Sequence, residues 1–554
     1  MAAWAFLPCV EAEAAEFDLS ASSRIRGGAD ESLWGAAILS DGTIAVAGRL
    51  GDTLPGDVPA QALGAATNEA GSGLLLLSPD GREVLQHVRL ADEIRDLAID
   101  QGDRVYLASP DAGVLAVDLD SPSLAWSSDA YWAHRIDVTA AGSVIALEPD
   151  DTGDPDTAGG NGTIHVYEPD GSDAAAFSGY RNTTDVCWAG ENIAFLGWRQ
   201  ATAIGNPVQI AYVRLVSQDG SELWTAYDWS TEEGADDYLN RPENNMADTR
   251  GYRCTFANGR VYAGFEAAGG NHIFRYAPHD VMEPVALVGG DEFHEFYNTK
   301  DEHKTVVTVL DAATGDFVTA QQFLARLDSG AGNTVRLRRG GLSVDEAGRV
   351  FLTGASASGF PFNEQLDGVS DYRGGAYFLA MSADFSQRLH ATRVTSNGEG
   401  HAVAVRTFDG ETNTVYVGQH GDEDLFAAVD EVPSGAGGGE LDGFFAVWNG
   451  VTPALPPEGG SEGGSSGGAG SDSDSGDSTM SGGDGGEATG AAATGVDGGT
   501  DDAGADTDDG GGADGDEAGC GCRSSKGGPF TLLLGLIALA ARRRRRPSSA
   551  SLVR

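Results

Sequence analysis

One pattern recurs seven times along this 554-residue chain: an apolar alternating run, a tight turn rich in Gly, Asp or Asn, and a second run ending in small residues. The copies begin at Ala36, Leu97, Ile136, Cys187, Cys254, Leu342 and Val403. Alternation with a period of two is typical of strands, and Asp-Gly or Asn-Gly turns connect antiparallel hairpins. Each copy therefore predicts one hairpin.

A second hairpin of similar composition lies between the copies, as in the segments that start at Gly73, Gly162 and Ala211. Four short strands in each of seven units, with almost no helical periodicity, predict an all-β fold, a seven-bladed β-propeller of four-stranded antiparallel blades. Over residues 17–450 the chain resembles bacterial secreted β-propeller repeat proteins. That resemblance implies an architecture and no particular activity.

The two ends of this body predict how the ring closes. The last unit supplies Gly443–Trp448 and then stops one strand short, while the segment 17–26 has the pattern of an outer strand. We therefore expect the N-terminal strand to complete the last blade. Such pairing also covers a strand edge that would otherwise be open to aggregation.

Charge divides the chain into two regions. Its formal net charge is −49, and residues 458–517 carry acidic side chains among Gly, Ser, Ala and Thr with no Lys or Arg. Such a composition cannot bury enough apolar surface to offset its ordering entropy, so residues 451–518 are predicted to be a disordered acidic linker. The body is acidic as well, which argues against nucleic acid as a partner, because nucleic-acid binding requires a basic surface.

The N-terminal residues 1–15 look like the end of a secretory signal peptide. Residues 2–10 are apolar, and Ala12-Glu13-Ala14 fits a small-x-small cleavage site. The usual basic segment is missing, so the start codon was placed too late or the signal is truncated. Cys9 would leave with the signal.

The C-terminal residues combine a cysteine pair, an apolar run and a basic cluster. Cys520 and Cys522 precede the apolar segment 530–541, and the basic residues Arg542, Arg543, Arg544, Arg545 and Arg546 follow it. The apolar segment, predicted as a short helix, falls below the roughly 20 residues of a permanent span. A basic cluster stays on the cytoplasmic side of a membrane. Residues 547–554 would then form a cytoplasmic tail.

Residues 519–546 resemble the MYXO-CTERM sorting signal, which myxosortase-type proteases process in some Gram-negative bacteria. The resemblance implies that a sorting protease cuts near Cys520 and Cys522. It also implies a lipid-anchored product on the outer surface, after a transient stay in the inner membrane. An ordinary C-terminal membrane anchor with a basic stop is the alternative.

No catalytic motif is recognisable in the sequence, and no enzyme activity is predicted. Two acidic, aromatic insertions, Trp229 to Arg250 and Ala277 to Lys304, interrupt the fourth and fifth units. The second holds a candidate site for a divalent metal such as calcium, formed by His279, Asp291, Glu292, His294 and Glu295. The alternative is a surface loop whose charged side chains face water.

Cys187 and Cys254 occupy the same position in adjacent repeats. Equivalent positions approach each other near the axis of a propeller, so a disulfide between two blades is one interpretation, and two buried thiols are the other. A bridge requires Cα atoms within about 7 Å. An exported body would permit the disulfide.

These observations predict an exported, surface-displayed propeller that binds a protein or a polysaccharide and is a monomer. A secreted or periplasmic propeller enzyme (a lyase, a glycosidase or a dehydrogenase) is the main alternative. Repeated tryptophan motifs would indicate a quinone-dependent enzyme, and these units lack a regular Trp. A glycosidase would need a pair of carboxylates near the axis. A purely structural envelope protein is the third interpretation.

Overall fold

The computed structural model describes residues 17–451 apart from several short gaps. These gaps are 52–54, 64–70, 91–92, 129–130, 151–159, 204–205, 230–247, 269–272, 289–302, 331, 361, 363–365, 367–368, 370–373, 409, 422–425 and 436–438. All that follows concerns the described residues. The linker 451–518 beyond Val451, the apolar segment and the basic cluster lie outside them.

The body is a seven-bladed β-propeller, as the repeats predict. Strand β1 (Phe17–Ile25) belongs to the last blade and is the first strand in the chain. The first three blades follow in sequence order. Blade 1 contains β2 (Ser32–Ile38), β3 (Ile44–Arg49), β5 (Ser72–Leu77) and β6 (Val84–Arg89), with the short β4 (Gln61–Ala62) added parallel to β6. Blade 2 contains β7 (Asp96–Ile99), β8 (Val105–Ser109), β9 (Gly113–Asp118) and β10 (Ser123–Ser127). Blade 3 contains β11 (Arg135–Val138), β12 (Val144–Glu148), β13 (Thr163–Tyr167) and β14 (Asp173–Ser178).

The remaining blades are built in the same way. Blade 4 contains β15 (Thr183–Ala189), β16 (Asn192–Ala203), β17 (Asn206–Val216) and β18 (Glu222–Ala226). Blade 5 contains β19 (Thr249–Ala257), β20 (Arg260–Ala268), β23 (His303–Asp311) and β24 (Phe317–Phe323), with the ribbon β21 (Tyr276–Ala277) and β22 (Asp280–Pro284) between β20 and β23. Blade 6 contains β27 (Val335–Val344), β28 (Val350–Ser356), β29 (Gly375–Met381) and β30 (Arg388–Thr392), preceded by the ribbon β25 (Ala325–Arg326) and β26 (Gly332–Asn333). Blade 7 contains β31 (Glu399–Phe408), β32 (Glu411–Gly421) and β33 (Leu441–Val451), completed by β1. The described helical structure is limited to 3-10 turns at Pro55–Asp57 and Ile273–Arg275.

Strand β1 occupies the outer position of blade 7, as the pattern of the segment 17–26 predicts. It pairs antiparallel with β33, with Phe17 opposite Gly450 and Ile25 opposite Gly443. Phe17, Ala21 and Ile25 are buried in this arrangement. The first and last strands of the body therefore close the ring together.

The hydrophobic core lies between the blades rather than inside each one. Seven clusters of buried side chains occur in the described residues, and each is formed by two neighbouring blades. The cluster between blades 6 and 7, for example, stacks Phe378, Tyr416 and Trp448, with ring centroids 4.8–5.1 Å apart. A single blade cannot bury both faces of its sheet, so the blades stabilise one another.

The two ends of the strands differ in their connections. The first and second strands of each blade, and the third and fourth strands of blades 1 to 6, are joined by tight turns; we call this end the turn face. Glycines with positive φ, such as Gly42 (φ 89°) and Gly142 (φ 89°), make these turns possible. Turns of adjacent blades contact each other there, for example through Asn258 Nδ2, which donates to the carbonyl of Glu346 at 3.1 Å.

The opposite end, which we call the loop face, is where the long connections leave the ring. These are the segments 50–71, 149–162, 227–248, 269–302, 357–374 and 422–440. Both β1 at its start and β33 at its end lie at the turn face, since Phe17 pairs with Gly450 beside the turn between β31 and β32. The chain therefore leaves the ring on the side opposite its long connections.

Candidate functional site

The innermost strands of the blades surround the axis and bring polar residues together there. These strands are β2, β7, β11, β15, β19, β27 and β31, and each contacts the next around the ring. In blades 1, 4, 5 and 7 the innermost strand carries a bulge, between residues 33 and 35, 183 and 185, 251 and 253, and 400 and 402. A bulge turns one extra side chain out of the regular alternation. Asp185 and Arg253 stand directly after such a bulge, whereas Asp96, Arg135 and Asp137 lie on strands with regular pairing.

Three aspartates bridge consecutive innermost strands. Each carboxylate oxygen Oδ2 accepts a hydrogen bond from a main-chain N–H of the following blade. The pairs are Asp96 with Ile136 (3.1 Å), Asp137 with Trp188 (2.8 Å) and Asp185 with Cys254 (2.9 Å). Arg253 continues this chain by donating through Nε to the carbonyl of Gly340 in blade 6. An innermost strand has no neighbour on its axial edge, so these side chains satisfy main-chain groups that would otherwise lack a partner.

Where such a side chain is absent, a glycine allows the strands to approach directly. A Cβ on Gly35 of blade 1 would lie 2.5 Å from Leu97 Cβ of blade 2. A Cβ on Gly341 of blade 6 would lie 2.6 Å from the nitrogen of Val403 in blade 7. Real Cβ atoms do not tolerate such distances, so glycine is required at both positions.

The axial cluster consists of Asp96, Arg135, Asp137, Asp185 and Arg253. Burial raises the pKa of all three carboxyl groups, to about 7 for Asp137 and to about 6 for Asp185. Asp185 and Asp96 raise the pKa of Asp137 further by charge repulsion. Arg253 and Arg135 act in the opposite direction on Asp185. These groups therefore interact across four blades.

The hydrogen bonds of the axial cluster point to a structural role for its carboxylates. Each of the three carboxylates already accepts a hydrogen bond from a main-chain N–H of the next blade. Asp96 and Asp137 each accept a second one, from the main-chain N–H of Leu97 and of Val138 respectively. The raised pKa values mean that a proton can be held here near neutral pH. Chemically, the cluster can fasten neighbouring blades and take up or release protons.

A second group, the rim chain, connects blades 6, 7, 1 and 2. It consists of Arg339 within β27, Glu399 and His401 in β31, Trp34 in β2, and Arg95 just before β7. The rings of Trp34 and His401 stack with centroids 3.8 Å apart, and the Arg95 guanidinium lies 5.0 Å from the Trp34 ring. Arg339 Nη1 lies 3.5 Å from Glu399 Oε2, which in turn lies 3.8 Å from His401 Nε2. His401 Nδ1 donates to the Leu33 carbonyl at 2.8 Å, which fixes the orientation of the ring.

The structure joins Cys187 and Cys254 in a disulfide between blades 4 and 5. Both lie on innermost strands, with Cα atoms 5.9 Å apart. Both cysteines are buried, at 2% and 8% exposure. Of the two interpretations that the sequence left open, the geometry corresponds to the bridge, because neighbouring innermost strands come close enough near the axis.

The predicted metal site is represented by a single residue. His279 lies between β21 and β22, and its Nε2 is 3.1 Å from the Thr314 carbonyl and 3.9 Å from Asp316 Oδ1. Asp291, Glu292, His294 and Glu295 lie outside the described residues. Among those that are described, no group of three or more His, Cys, Asp or Glu side chains is arranged to hold a metal ion.

The bounds of the two insertions also change. Strand β19 begins at Thr249 and β23 at His303, so Arg250, His303 and Lys304 belong to strands rather than to loops. Cys520, Cys522 and the basic cluster from Arg542 to Arg546 lie outside the described residues. Within residues 17–451, apart from the gaps given above, no helix has the length and apolar character needed to cross a bilayer.

The axial cluster and the rim chain were not identified from the sequence. Leu97, Ile136 and Asp137 stand within the recurring copies, but the adjacent charged residues Asp96 and Arg135 were not singled out. The sequence signal that could have identified the axial cluster is a charged residue in an otherwise apolar innermost strand, at a similar place in several repeats. Burying a charged group is costly unless it is paired, so such residues deserve separate consideration.

Comparison with known proteins gives no family for this chain. No family model matches it, and no curated protein matches it. Among solved structures, it is similar to the WD40 β-propeller domain of Doa1 (TM-score 0.38, 9% identity, 77% of this chain and 96% of that one). It is also similar to hydrazine synthase from Kuenenia stuttgartiensis (TM-score 0.38, 9% identity, 69% and 92%). A third is the quinohemoprotein alcohol dehydrogenase ADHIIG from Pseudomonas putida HK5 (TM-score 0.37, 12% identity, 79% and 77%). Likeness of this degree assigns no activity to the chain.

Proposed function

We propose that this chain is an exported β-propeller that is tethered to the cell surface through its C-terminal segment and serves as a binding module. The observation that carries the proposal is the position of the chain ends. Residue 451 leaves the ring at the turn face, whereas the long connections leave at the loop face. A tether attached at the turn face leaves the loop face accessible to a partner. Long connections on a rigid scaffold are where binding function is usually found.

The charge of the turn face agrees with this orientation. Its tight turns carry many more acidic than basic side chains: Asp41, Asp80, Asp100, Asp103, Asp120, Asp170, Asp219, Asp316, Asp345 and Asp384. An anionic membrane surface repels such a face within about one Debye length, roughly 8 Å at physiological ionic strength. The acidic linker adds to the separation because its like charges repel each other. Together they hold the propeller away from the envelope.

The disulfide supports export. Bridges such as Cys187–Cys254 form and persist in oxidising compartments and are rare in the cytosol. The tail resembling a sorting signal, with Cys520 and Cys522, supplies the route to the surface in this proposal.

The test is to recover the protein from surface-labelled cells of its native host and to measure its intact mass. We expect a product that ends near Cys520 and carries added lipid mass. Replacing Cys520 and Cys522 together by Ala should leave the full-length protein in the inner membrane. The matched control replaces Ser524 and Ser525, two small residues just beyond the cysteine pair. A wild-type product that retains Arg542 to Arg546 would refute the sorting route.

A second candidate function, glycoside cleavage, is favoured by one observation. Asp137 and Asp185 lie in the axial cluster with pKa values raised to about 7 and about 6, as a general acid requires. Incubation with a panel of polysaccharides, followed by measurement of new reducing ends, tests this. Activity that disappears in both Asp137→Asn and Asp185→Asn would favour the enzyme over the binding module.

A further inference from the structure

We propose that two copies of this protein pair through the outer edge of blade 3, strand β14 against strand β14, with the two strands antiparallel. The inference rests on the proposed surface display and adds the partner, a second copy of the chain, in place of the monomer that the sequence predicts. Strand β14 (Asp173–Ser178) is the last strand of its four-stranded sheet, so its outer edge faces the circumference of the ring.

The outer edge of β14 is open. Most of its residues are exposed, among them Ala176 and Ser178. In the part of the chain that the structure describes, no other strand or connection pairs with this edge. The Gly179 N–H points inward to the Gly162 carbonyl at 3.0 Å. Because the main-chain groups of a strand alternate in direction, the N–H and C=O groups of Ser178 and Ala176 point outward and are available to a further strand.

The chain covers the outer edges of three other blades with its own segments. In blade 1, β4 pairs parallel with β6. In blade 5, the Val288 N–H donates to the carbonyl of Ala320 in β24 at 3.1 Å. In blade 7, Ser22 of β1 exchanges two main-chain hydrogen bonds with Val429, at 2.8 and 3.2 Å. The outer strand of a blade in this ring can therefore pair with a further segment.

The composition of β14 favours pairing. Soluble proteins usually protect an edge strand with charged side chains, proline or bulges. A bulge interrupts β14 at Ala174, but residues 175–178 beyond it pair regularly with β13 and carry neither charge nor proline. Phe177 holds the strand in place by packing against the turn of blade 4, where a Cβ on Gly220 would lie 2.7 Å from the Phe177 ring. An ordered edge loses little conformational entropy when it pairs.

The sequence of this edge is complementary to itself. When Phe177 of one copy lies opposite Phe177 of the other, the outward-facing Ala176 and Ser178 exchange main-chain hydrogen bonds with Ser178 and Ala176 of the second copy. The same register places Asp173 of each copy opposite Arg181 of the other, since 177 is midway between 173 and 181. Both charged side chains are exposed, and neither forms an ion pair within the described residues. Main-chain bonds, two ion pairs and the two Phe177 rings therefore meet in one antiparallel register.

Antiparallel pairing sets the direction of the tethers. The strands of a blade run between the turn face and the loop face, so an antiparallel pair of β14 strands places the turn face of one ring beside the loop face of the other. Residue 451 leaves each ring at the turn face. The two tethers therefore leave on opposite sides, which suits copies on two facing cells rather than neighbours on one cell.

The contact between two single copies is weak. A strand edge of this length buries far less than the roughly 1,000 Å² of a stable complex. The acidic bodies repel each other, although charges farther apart than about 8 Å are largely screened at physiological ionic strength. Many tethered copies that face each other add their contacts, so two surfaces adhere where two free molecules dissociate.

The experiment measures self-association of the full-length, fluorescently labelled protein in a mild detergent by sedimentation over a range of concentrations. We expect a reversible equilibrium between monomer and dimer. Asp173→Arg and Arg181→Asp should each weaken pairing about tenfold, because two attractive contacts become repulsive. An equimolar mixture of these two variants should pair like the wild type, because Arg then meets Asp at both contacts. Asp120→Arg, a change of an exposed charge in a turn of blade 2, is the control and should leave pairing unchanged.

Ala176→Pro tests the main-chain contacts. It removes an outward-facing N–H and leaves the pairing of β14 with β13 intact, so the variant should keep its fold and pair about tenfold more weakly. Ser127→Pro in β10 is the matched control, since Ser128 N–H points inward to Val114 and the Ser127 N–H therefore points outward.

The proposal is overturned if the wild type stays monomeric at every concentration, if neither single charge variant weakens pairing, or if their mixture fails to restore it. On cells, the population that displays Asp173→Arg should clump with the population that displays Arg181→Asp, and neither should clump by itself. Surface display is measured separately by mass, so the proposed function and this pairing can fail independently.

Discussion

Reduction of the Cys187–Cys254 bridge offers the sharpest test of how the blades are held together. The two cysteines are 67 positions apart in the sequence. In the chain-entropy treatment, a cross-link that closes a loop of this length disfavours the unfolded state by about 4 kcal/mol at 25 °C. With an unfolding entropy of about 2 cal/mol/K per residue, a ring of about 430 residues should lose about 5 °C in melting temperature when the bridge is absent.

The assay compares the wild type and the double variant Cys187→Ser/Cys254→Ser, each with and without a phosphine reductant. We expect the reductant to lower the melting temperature of the wild type to that of the variant and to leave the variant unchanged. The variant is the control for effects of the reductant on other cysteines. Peptide mapping under non-reducing conditions should yield a cross-linked pair that contains Cys187 and Cys254. A wild-type protein with both thiols free, or one whose melting temperature ignores the reductant, would refute the reasoning.

Three further predictions concern the ring. Because the pKa of Asp137 is raised from 3.8 to about 7, the folded state binds an extra proton between these pH values. This group's contribution to stability is present below about pH 4 and lost as pH rises to about 7. In urea denaturation, the stability of Asp137→Asn should depend on pH less steeply than that of the wild type, by up to about 1.4 kcal/mol per pH unit, and parallel curves would contradict this. Gly35→Ala should lower the free energy of unfolding by about 1–3 kcal/mol, because the added methyl group overpacks against Leu97. Gly443→Ala is the control in the same denaturation assay, since its Cβ would meet ordinary contacts at 3.4 Å. Deletion of residues 17–26 should lower the free energy of unfolding by about 5 kcal/mol, since burial of Phe17 and Ile25 contributes about 1.5–3 kcal/mol each. An unchanged denaturation midpoint would show that β1 does not stabilise the ring by completing blade 7.

The architecture was accessible from the sequence because it depends on a repeated local signal. Each hairpin is specified by alternation and a glycine turn over about a dozen residues, and seven copies add up to a ring. Trp448, by contrast, gave no hint that it would stack against Phe378 of blade 6 as well as against Tyr416 of its own blade. Packing between blades depends on which side chains face each other, and one sequence does not record that.

The candidate site was less accessible for a related reason. Arg339, Glu399 and His401 come from blades 6 and 7 and meet only when these two blades pack side by side, and the stack of His401 on Trp34 of blade 1 forms only on ring closure. No local motif marks such a meeting. The cysteines were recognised because both happened to occupy the same place in adjacent repeats, which is a local property that alignment of the copies reveals.

The pairing of β1 with β33 has a consequence for how the protein is made. Phe17 is synthesised before the other described strands, yet its partner Gly450 follows only after the other blades are complete. Until then blade 7 has an open edge, and β1 has no sheet to join. Pairings between such distant segments form slowly, and exposed edges invite aggregation. The nascent chain must therefore keep its first strand unpaired until β33 has been synthesised.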